Sequence, residues 1–432
     1  MGVPRVLHLN TYDGNGGAGK ACLRLNNALQ KQGVDSKILV HYKFGQNPLV
    51  KSFDNNIFQK SITAAKIILE RVLGRRYLKA GSRTPFSFTW FGRDVSNHPD
   101  VKSADIIHLH WINHTFLNPA SLKKLAKLNK PIVWTFHDSN AFTGGCHVRY
   151  TCDHYRHSCG FCPLLEKPHE SDLSRKIWLQ KESAYQQLKF TIIAPSSWML
   201  RSIAESGLLN TRPAKILPNT LDTDVFKPRD RDALLTEFGL DATKIYFLSG
   251  FMPSRKDLHK GTDYLLDSLK RLVTDSAINT SNVELLIFGN RTTTDLPVFP
   301  FPTKFLGTIG DEETLAKYYA VAHAFLIPSL EDNLPYTVME SLSCGTPVIA
   351  FTTGGIPDMV KHEENGYLAT YKSAESLCRG MSWIITHGNL QQLQNNARET
   401  VMEHFSEQRI ADRHIAMYEE VIAETPNINA NA

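Results

Sequence analysis

SLEDNLPYTVMESLSCGTPVIAF, residues 329–351, follows the apolar run 324–328 and ends in a second apolar run, 346–351. Short apolar runs bounded by turn formers read as buried strands. Between them, Asp332 and Asn333 read as N-cap residues and Pro335 as a first-turn residue. Tyr336 to Cys344 then reads as a short helix stopped by Gly345. A strand that delivers the chain to a loop, a helix and another strand is an α/β unit of the doubly wound kind. The helix N-terminus, beside Asn333 and Leu334, offers free backbone N–H groups and a positive dipole end to an anion. Asp332 at the mouth of the loop and Glu340 on an otherwise apolar helix can accept hydrogen bonds from hydroxyl groups. An anion site flanked by two hydroxyl acceptors suits a nucleotide sugar. The plainer reading of the same pair is an N-cap aspartate and a solvated helical glutamate.

The chain has 432 residues, which predicts two domains of roughly 200 each. Its 42% hydrophobic and 21% charged content is that of an ordinary globular protein. The net charge of +5 permits an anionic ligand or surface without demanding one, and nothing points to nucleic acid. No run of 18 apolar residues is present, so no membrane span is expected. The segment MGVPRVLHLN goes straight into a strand, so the expected location is the cytoplasm. There the seven cysteines are expected to be thiols or metal ligands rather than disulfides.

From the N-terminal side, Arg5–Leu9 reads as a strand and Ala18–Lys31 as an amphipathic helix stopped by Gly33. Gly14, Gly16, Gly17 and Gly19 between them read as a loop, so the chain opens like a Rossmann domain. Gly14-x4-Gly19-Lys20 nearly matches a P-loop, but position 21 is Ala, and the hydroxyl that would hold magnesium is missing. Residues 57–74 read as a helix. The stretch from Arg71 to Phe91 is basic and aromatic, with Arg71, Arg75, Arg76, Lys79 and Arg83 followed by Phe86, Phe88, Trp90 and Phe91. It suits the headgroup region of an anionic membrane, or equally a solvated helix end and a core-packing loop.

Residues 105–109 and 131–136 read as parallel-sheet strands, the second running into His137-Asp138. Ligands of open α/β sheets sit at the carboxyl ends of the strands, which places His137 where a ligand belongs. His108 and His110 are rival candidates that also make sense as packing residues. Next comes Cys146-x5-Cys152-x6-Cys159-x2-Cys162. The last pair has zinc-knuckle spacing and the first does not, so a structural zinc and a set of free thiols both stay open. His147, His154 and His157 are substitute ligands. The second half repeats the α/β logic: strands at 244–249 and 283–288, a helix at 262–273 opened by Lys260-Gly261, and Gly354-Gly355-Ile356-Pro357-Asp358 after the opening stretch.

Asp332-x7-Glu340 resembles the E-x7-E signature of glycosyltransferase family 4, with Asp in place of the first Glu. The Gly16-Gly17 loop, His137-Asp138, Pro218-Asn219-Thr220, Lys260-Gly261 and Gly354–Asp358 resemble, in order, further segments of that family. The cysteine-rich insert resembles colanic-acid and capsule-type members. The resemblance implies the GT-B fold: two Rossmann-like domains facing across a cleft, and a C-terminal helix crossing back to the first. The implied domains are an acceptor-side unit at 1–218 with the Cys-rich insert 143–165, a nucleotide-sugar unit at 219–404, and a crossover helix and tail at 405–432.

The implied activity is a retaining, hexosyl-type glycosyltransferase. It moves a sugar from a nucleotide-diphosphate sugar to a glycan acceptor carried on a polyprenyl diphosphate, in cell-surface polysaccharide synthesis. The implied catalytic residues are His137, Lys260 and Asp332. The donor-binding residues are Gly16, Gly17, Arg255, Asn333, Leu334 and Glu340. Position 251, where the family has its second phosphate-binding Arg, is Phe, so Arg255 or Lys256 must take that part. Catalysis of this kind needs no metal, and any zinc on Cys146, Cys152, Cys159 and Cys162 is structural. The expected location is the cytoplasm, with peripheral contact at the inner membrane face. Two alternatives are a GT-B nucleotide-sugar epimerase and an inactive partner in an assembly complex.

Overall fold

The structure is a computed structural model that describes residues 4–14, 16–54, 56–80, 84–250, 260–289 and 298–425. The chain divides into two compact units, residues 1–220 with 408–432, and residues 221–407. Each is built on one parallel sheet.

The first sheet holds seven strands: β1 (Val6–Tyr12), β2 (Ser36–Tyr42), β3 (Val50–Ser52), β4 (Ile106–Leu109), β5 (Ile132–Thr135), β6 (Thr191–Ala194) and β7 (Ala214–Ile216). Their order is β3-β2-β1-β4-β5-β6-β7. Because side chains alternate along a strand, neighbouring residues feed opposite faces. Leu7, Leu9, Ile107, Trp134 and Ile192 enter one core. Val6, Ile106, Val133 and Ile193 enter the other. Both faces are buried, which is why these strands read as continuous apolar runs. The second core is completed by Leu25 and Leu29 of helix α1 (Gly16–Lys31), and by Ile410, Met417 and Tyr418 of the C-terminal helix Glu407–Glu424.

The second sheet holds β8 (Ile245–Gly250), β9 (Val283–Phe288), β10 (Thr303–Gly307), β11 (Ala324–Ile327), β12 (Val348–Phe351) and β13 (Gly366–Ala369). The order is β10-β9-β8-β11-β12-β13, again all parallel. In both sheets the strand order reverses once, between β1 and β4 and between β8 and β11. At such a switch point the loops leaving the carboxyl ends diverge and open a crevice.

Three expectations change. Gly16 and Gly17 are not loop residues but the first turn of α1. The helix after β11 spans Tyr336–Ser343 with Pro335, not Asp332 or Asn333, at its N-cap position and no side-chain cap. The rings of the basic and aromatic stretch are not presented outward: Phe88 is buried and stacks on Trp90 at 4.4 Å, and Tyr77 packs on Trp90 at 5.6 Å. Trp90, Phe86 and Phe91 are half-buried.

Candidate active site

In the second unit, Lys260 arrives from the β8 side of the switch point and Asp332 from the β11 side. Lys260 Nζ donates to Asp332 Oδ2 at 3.1 Å, and both side chains keep partial exposure. Two glycines make this approach feasible. Gly261 has φ 64°, and a Cβ there would lie 1.9 Å from the Pro328 carbonyl oxygen. Gly354 has φ 55°, and a Cβ there would lie 1.8 Å from the Asp332 carbonyl oxygen. Only glycine adopts these conformations without strain and lets backbone approach backbone. Gly355 N–H donates to that same Asp332 carbonyl at 3.1 Å, and Thr353 Oγ1 to Leu330 O at 2.9 Å. The Asp332 loop is thus clamped from both neighbouring segments.

Behind the loop, Leu334 is buried and Asn333 half-buried at the start of the 336–343 helix. Glu340 is 2% exposed and accepts from Tyr319 Oη at 3.4 Å. It is not the solvated helix residue of the plainer reading. Burying a carboxylate on an apolar helix is costly unless its oxygens are satisfied. Arg255, Lys256 and Phe251 lie outside the described residues.

In the first unit, the loop after β1 is shaped by Gly14 and Gly19. A Cβ on Gly19 would come within 3.0 Å of the Gly14 backbone. Gly16 has φ 73°, whereas Gly17 has an ordinary φ and open space around it. The fold therefore accounts for Gly14, Gly16 and Gly19 but not for Gly17, where the bare backbone keeps the amino end of α1 accessible.

Beyond β5, His137 is half-buried at the end of a hydrogen-bonded row. Its Nε2 meets His110 Nδ1 at 3.0 Å, and His110 Nε2 meets His8 Nδ1 at 2.9 Å. His8 Nε2 meets Ser36 Oγ at 3.0 Å, and Ser36 Oγ donates to Asn26 Oδ1 at 2.8 Å. With the Asn26 amide in this orientation the row has one direction. Ser36 accepts from His8, His8 from His110, and His110 from His137, which makes Nδ1 of His137 an acceptor. The row is uncharged at neutral pH. Burial pushes His8 down to about 3, with His414 adding to the shift. Burial holds His110 well below its ordinary value, and lowers His137 to about 4 against the opposing pull of Asp138.

Asp138 Oδ2 accepts from Trp111 Nε1 at 2.7 Å and pairs with His147 Nδ1 at 2.6 Å. Burial would raise the Asp138 carboxyl, but His147 and these donors outweigh it and hold it below the usual range. His108, the rival candidate, sits wholly inside, between Tyr418 Oη and Thr135 Oγ1, each at 2.7 Å.

His8, His108 and His110 are, among the described residues, the one set of three potential ligand atoms within 4.8 Å of one another. Every ring nitrogen of the three is already in a hydrogen bond. The four cysteines of the insert do not reach that mutual spacing, yet Cys146, Cys152, Cys159 and Cys162 all line one cavity of about 20 Å³, with His154 on the same wall. His147 is taken up by Asp138 and by Ser87 Oγ at 2.7 Å.

Residues 15–225 match the family model "Glycosyltransferase Family 4", and residues 243–387 match "Glycosyl transferases group 1". Over these two stretches the chain is similar to glycosyltransferases of family 4 and of group 1. An uncharacterized glycosyltransferase of Methanocaldococcus jannaschii is 28% identical over 173 residues, 38% of this chain and 43% of that protein. The chain spans about half the length of the curated relatives it matches. Among solved structures, sucrose-phosphate synthase from Thermosynechococcus elongatus aligns with TM-score 0.62 at 16% identity, covering 97% of this chain and 99% of that one. Anabaena HepE in complex with UDP aligns with TM-score 0.61 at 16% identity, covering 96% and 100%. With two parallel-sheet α/β units and these neighbours, the chain has the GT-B fold.

Proposed function

We propose that this protein transfers a hexosyl-type sugar, with retention, from a nucleotide-diphosphate sugar to a lipid-linked glycan acceptor in cell-surface polysaccharide synthesis. The observation that carries the reading is the Lys260–Asp332 pair at the β8/β11 switch point, with Asp332 eight residues before the buried Glu340 in the chain. Departure of a nucleoside diphosphate builds negative charge, and a lysine fixed at a strand end is placed to meet it. Lys260 serves the diphosphate together with the amino end of the 336–343 helix at Asn333 and Leu334, and with Arg255. Glu340 takes the ribose hydroxyls. Asp332 takes sugar hydroxyls, and in the other unit the acceptor nitrogen of His137 suits an uncharged hydroxyl. Gly16 and Gly17 leave room for the ligand at α1. A solved structure of HepE with UDP supports a nucleotide-sugar donor. Residues 1–218 serve the acceptor and 219–404 the donor, while the helix Glu407–Glu424 packs into the core of the first unit. The test is turnover: UDP-, GDP- and ADP-sugars offered in turn, with release of the nucleoside diphosphate measured with and without glycan acceptor. One donor is expected to react, and only with acceptor present.

One structural zinc on Cys146, Cys152, Cys159 and Cys162 staples the 143–165 insert. The support is the convergence of all four on one cavity, in a segment whose Cys159-Gly160-Phe161 turn holds three successive positive φ values, 55°, 92° and 46°. Zinc–sulfur bonds of about 2.3 Å require the four sulfurs to close in further around the ion. Elemental analysis of protein purified without added metal is expected to give about one zinc per chain. Transition metal in fewer than about a tenth of chains contradicts the site.

A further inference from the structure

Helix α2 (Ile57–Gly74) packs the wrong way round for a soluble protein. Its buried residues are Thr63, Glu70 and Gly74, spaced to share one face. Apart from the half-buried Ile67, that face is polar or small. Thr63 Oγ1 donates to Asp54 Oδ2 at 2.7 Å, and Gly74 seats so closely on Phe88 that a Cβ would come 2.4 Å from its ring. The opposite face carries Ile57, Phe58, Ile62, Ile68, Leu69 and Val72, exposed by 84, 71, 37, 62, 46 and 54%. With Leu73 and Tyr77, eight of the eighteen exposed large hydrophobic residues described fall within 21 positions. A soluble surface scatters such residues singly; a contiguous stripe marks a contact.

Charge says what the contact is. Lys60 and Arg71, three turns apart, flank the stripe on one side, and Lys66 flanks it on the other. Arg75, Arg76 and Lys79 follow the helix, all exposed. The only acidic residue of α2 is Glu70, and it is on the buried face. A second copy of this chain docked here would bring two sets of cations together. A bilayer with anionic headgroups meets both demands at once, apolar side chains among the acyl chains and cations at the phosphates.

We propose that α2 is an interfacial helix that lies in the headgroup region of an anionic bilayer, with its 57–72 apolar face inserted and Lys60, Lys66, Arg71, Arg75, Arg76 and Lys79 on the phosphates. The helix is about 27 Å long, and it lies in the surface rather than across it. Among the described residues no helix is long and apolar enough to cross a membrane. The segment that reads as membrane-facing in the sequence is thereby moved. Arg71, Arg75, Arg76 and Lys79 stay at the surface and Arg83 lies outside the described residues, but the inserted residues come from α2, not from Phe86, Phe88, Trp90 and Phe91. This holds whether or not the chain transfers a sugar.

The experiment is flotation of the full chain with vesicles of phosphatidylcholine alone or mixed with phosphatidylglycerol, at low and at high salt. The wild type is expected to float with the anionic vesicles at low salt and to be released by high salt. Changing Lys60, Lys66 and Arg71 to Glu is expected to lower the partition about a hundredfold or more, at roughly fivefold for each charge lost. Phe58→Ser with Ile68→Ser is expected to abolish flotation while melting temperature stays put, since both side chains are exposed. A wild type that stays at the bottom at low salt overturns the proposal. So does a Phe58→Ser, Ile68→Ser variant that floats like the wild type. Sedimentation showing a dimer that the same variant splits also overturns it, and assigns the face to a second copy of the chain.

Discussion

The two units prepare their candidate residues with opposite electrostatics. In the second, a lysine and an aspartate with partly exposed side chains pair at 3.1 Å, and an anion can take the lysine from its partner. In the first, a row of neutral imidazoles carries one polar orientation from Asn26 through His8 and His110 to His137, with no net charge along it. The contrast fits a division of labour. In the proposed reading, charge is stationed where a diphosphate would leave, and a fixed neutral hydrogen-bond pattern where uncharged hydroxyls would be held. A partly exposed ion pair is worth little to stability, which suits the role proposed for Lys260 and Asp332. The imidazole row is buried in the strands and serves stability and orientation together.

The largest effect expected from breaking this contrast is on the charged side. Lys260→Ala should slow transfer by roughly 30- to 1000-fold, the equivalent of about 2–4 kcal/mol of leaving-group stabilisation. Near-wild-type kcat in this variant would remove Lys260 from the mechanism. The neutral side should respond less. His110→Phe interrupts the row and is expected to lower kcat about tenfold with KM little changed. In the same assay the wild-type pH profile should stay flat from pH 8 to about 5, because His137 takes its proton only near 4. An acid limb at about 6.5, the ordinary histidine value, would mean that the row is charged when it works.

How much of this was legible depended on how local the cause is. The Lys260–Asp332 half could be read because its pieces are local motifs at strand ends, two of them with a glycine needed for backbone reasons: Gly261 beside Lys260, and Gly354 in the loop after β12. The N-cap assignment failed within that same stretch. Pro335 sets the helix entry with φ −67°, and the Asp332 carboxylate is turned to Lys260 instead of the helix. The imidazole row could not be read. His8, His110 and His137 lie 102 and 27 positions apart, and only the order β1-β4-β5 brings them together. A surplus of histidines in and just after the strands, at residues 8, 108 and 110, was the one signal available.

Helix direction was also invisible. α2 and the helix Glu407–Glu424 have 18 residues each, and both carry an apolar stripe. One turns it to solvent and the other buries Ile410, Met417, Tyr418 and Val421. A sequence states that a stripe exists, while the neighbours that pack first decide which way it faces. Here Gly74 lets α2 approach Phe88 with its polar side.

The central claim is that this chain moves a sugar off a nucleoside diphosphate, and its most direct test is acceptor-dependent release of that diphosphate by the purified wild-type protein. The account predicts stoichiometric nucleoside diphosphate and glycosylated acceptor from one donor, and at most a trace of either without acceptor. Conversion of the donor to free sugar or an epimer without acceptor would contradict transfer and favour an epimerase. Donor bound but never consumed, with any glycan acceptor, would contradict it in favour of an inactive assembly partner.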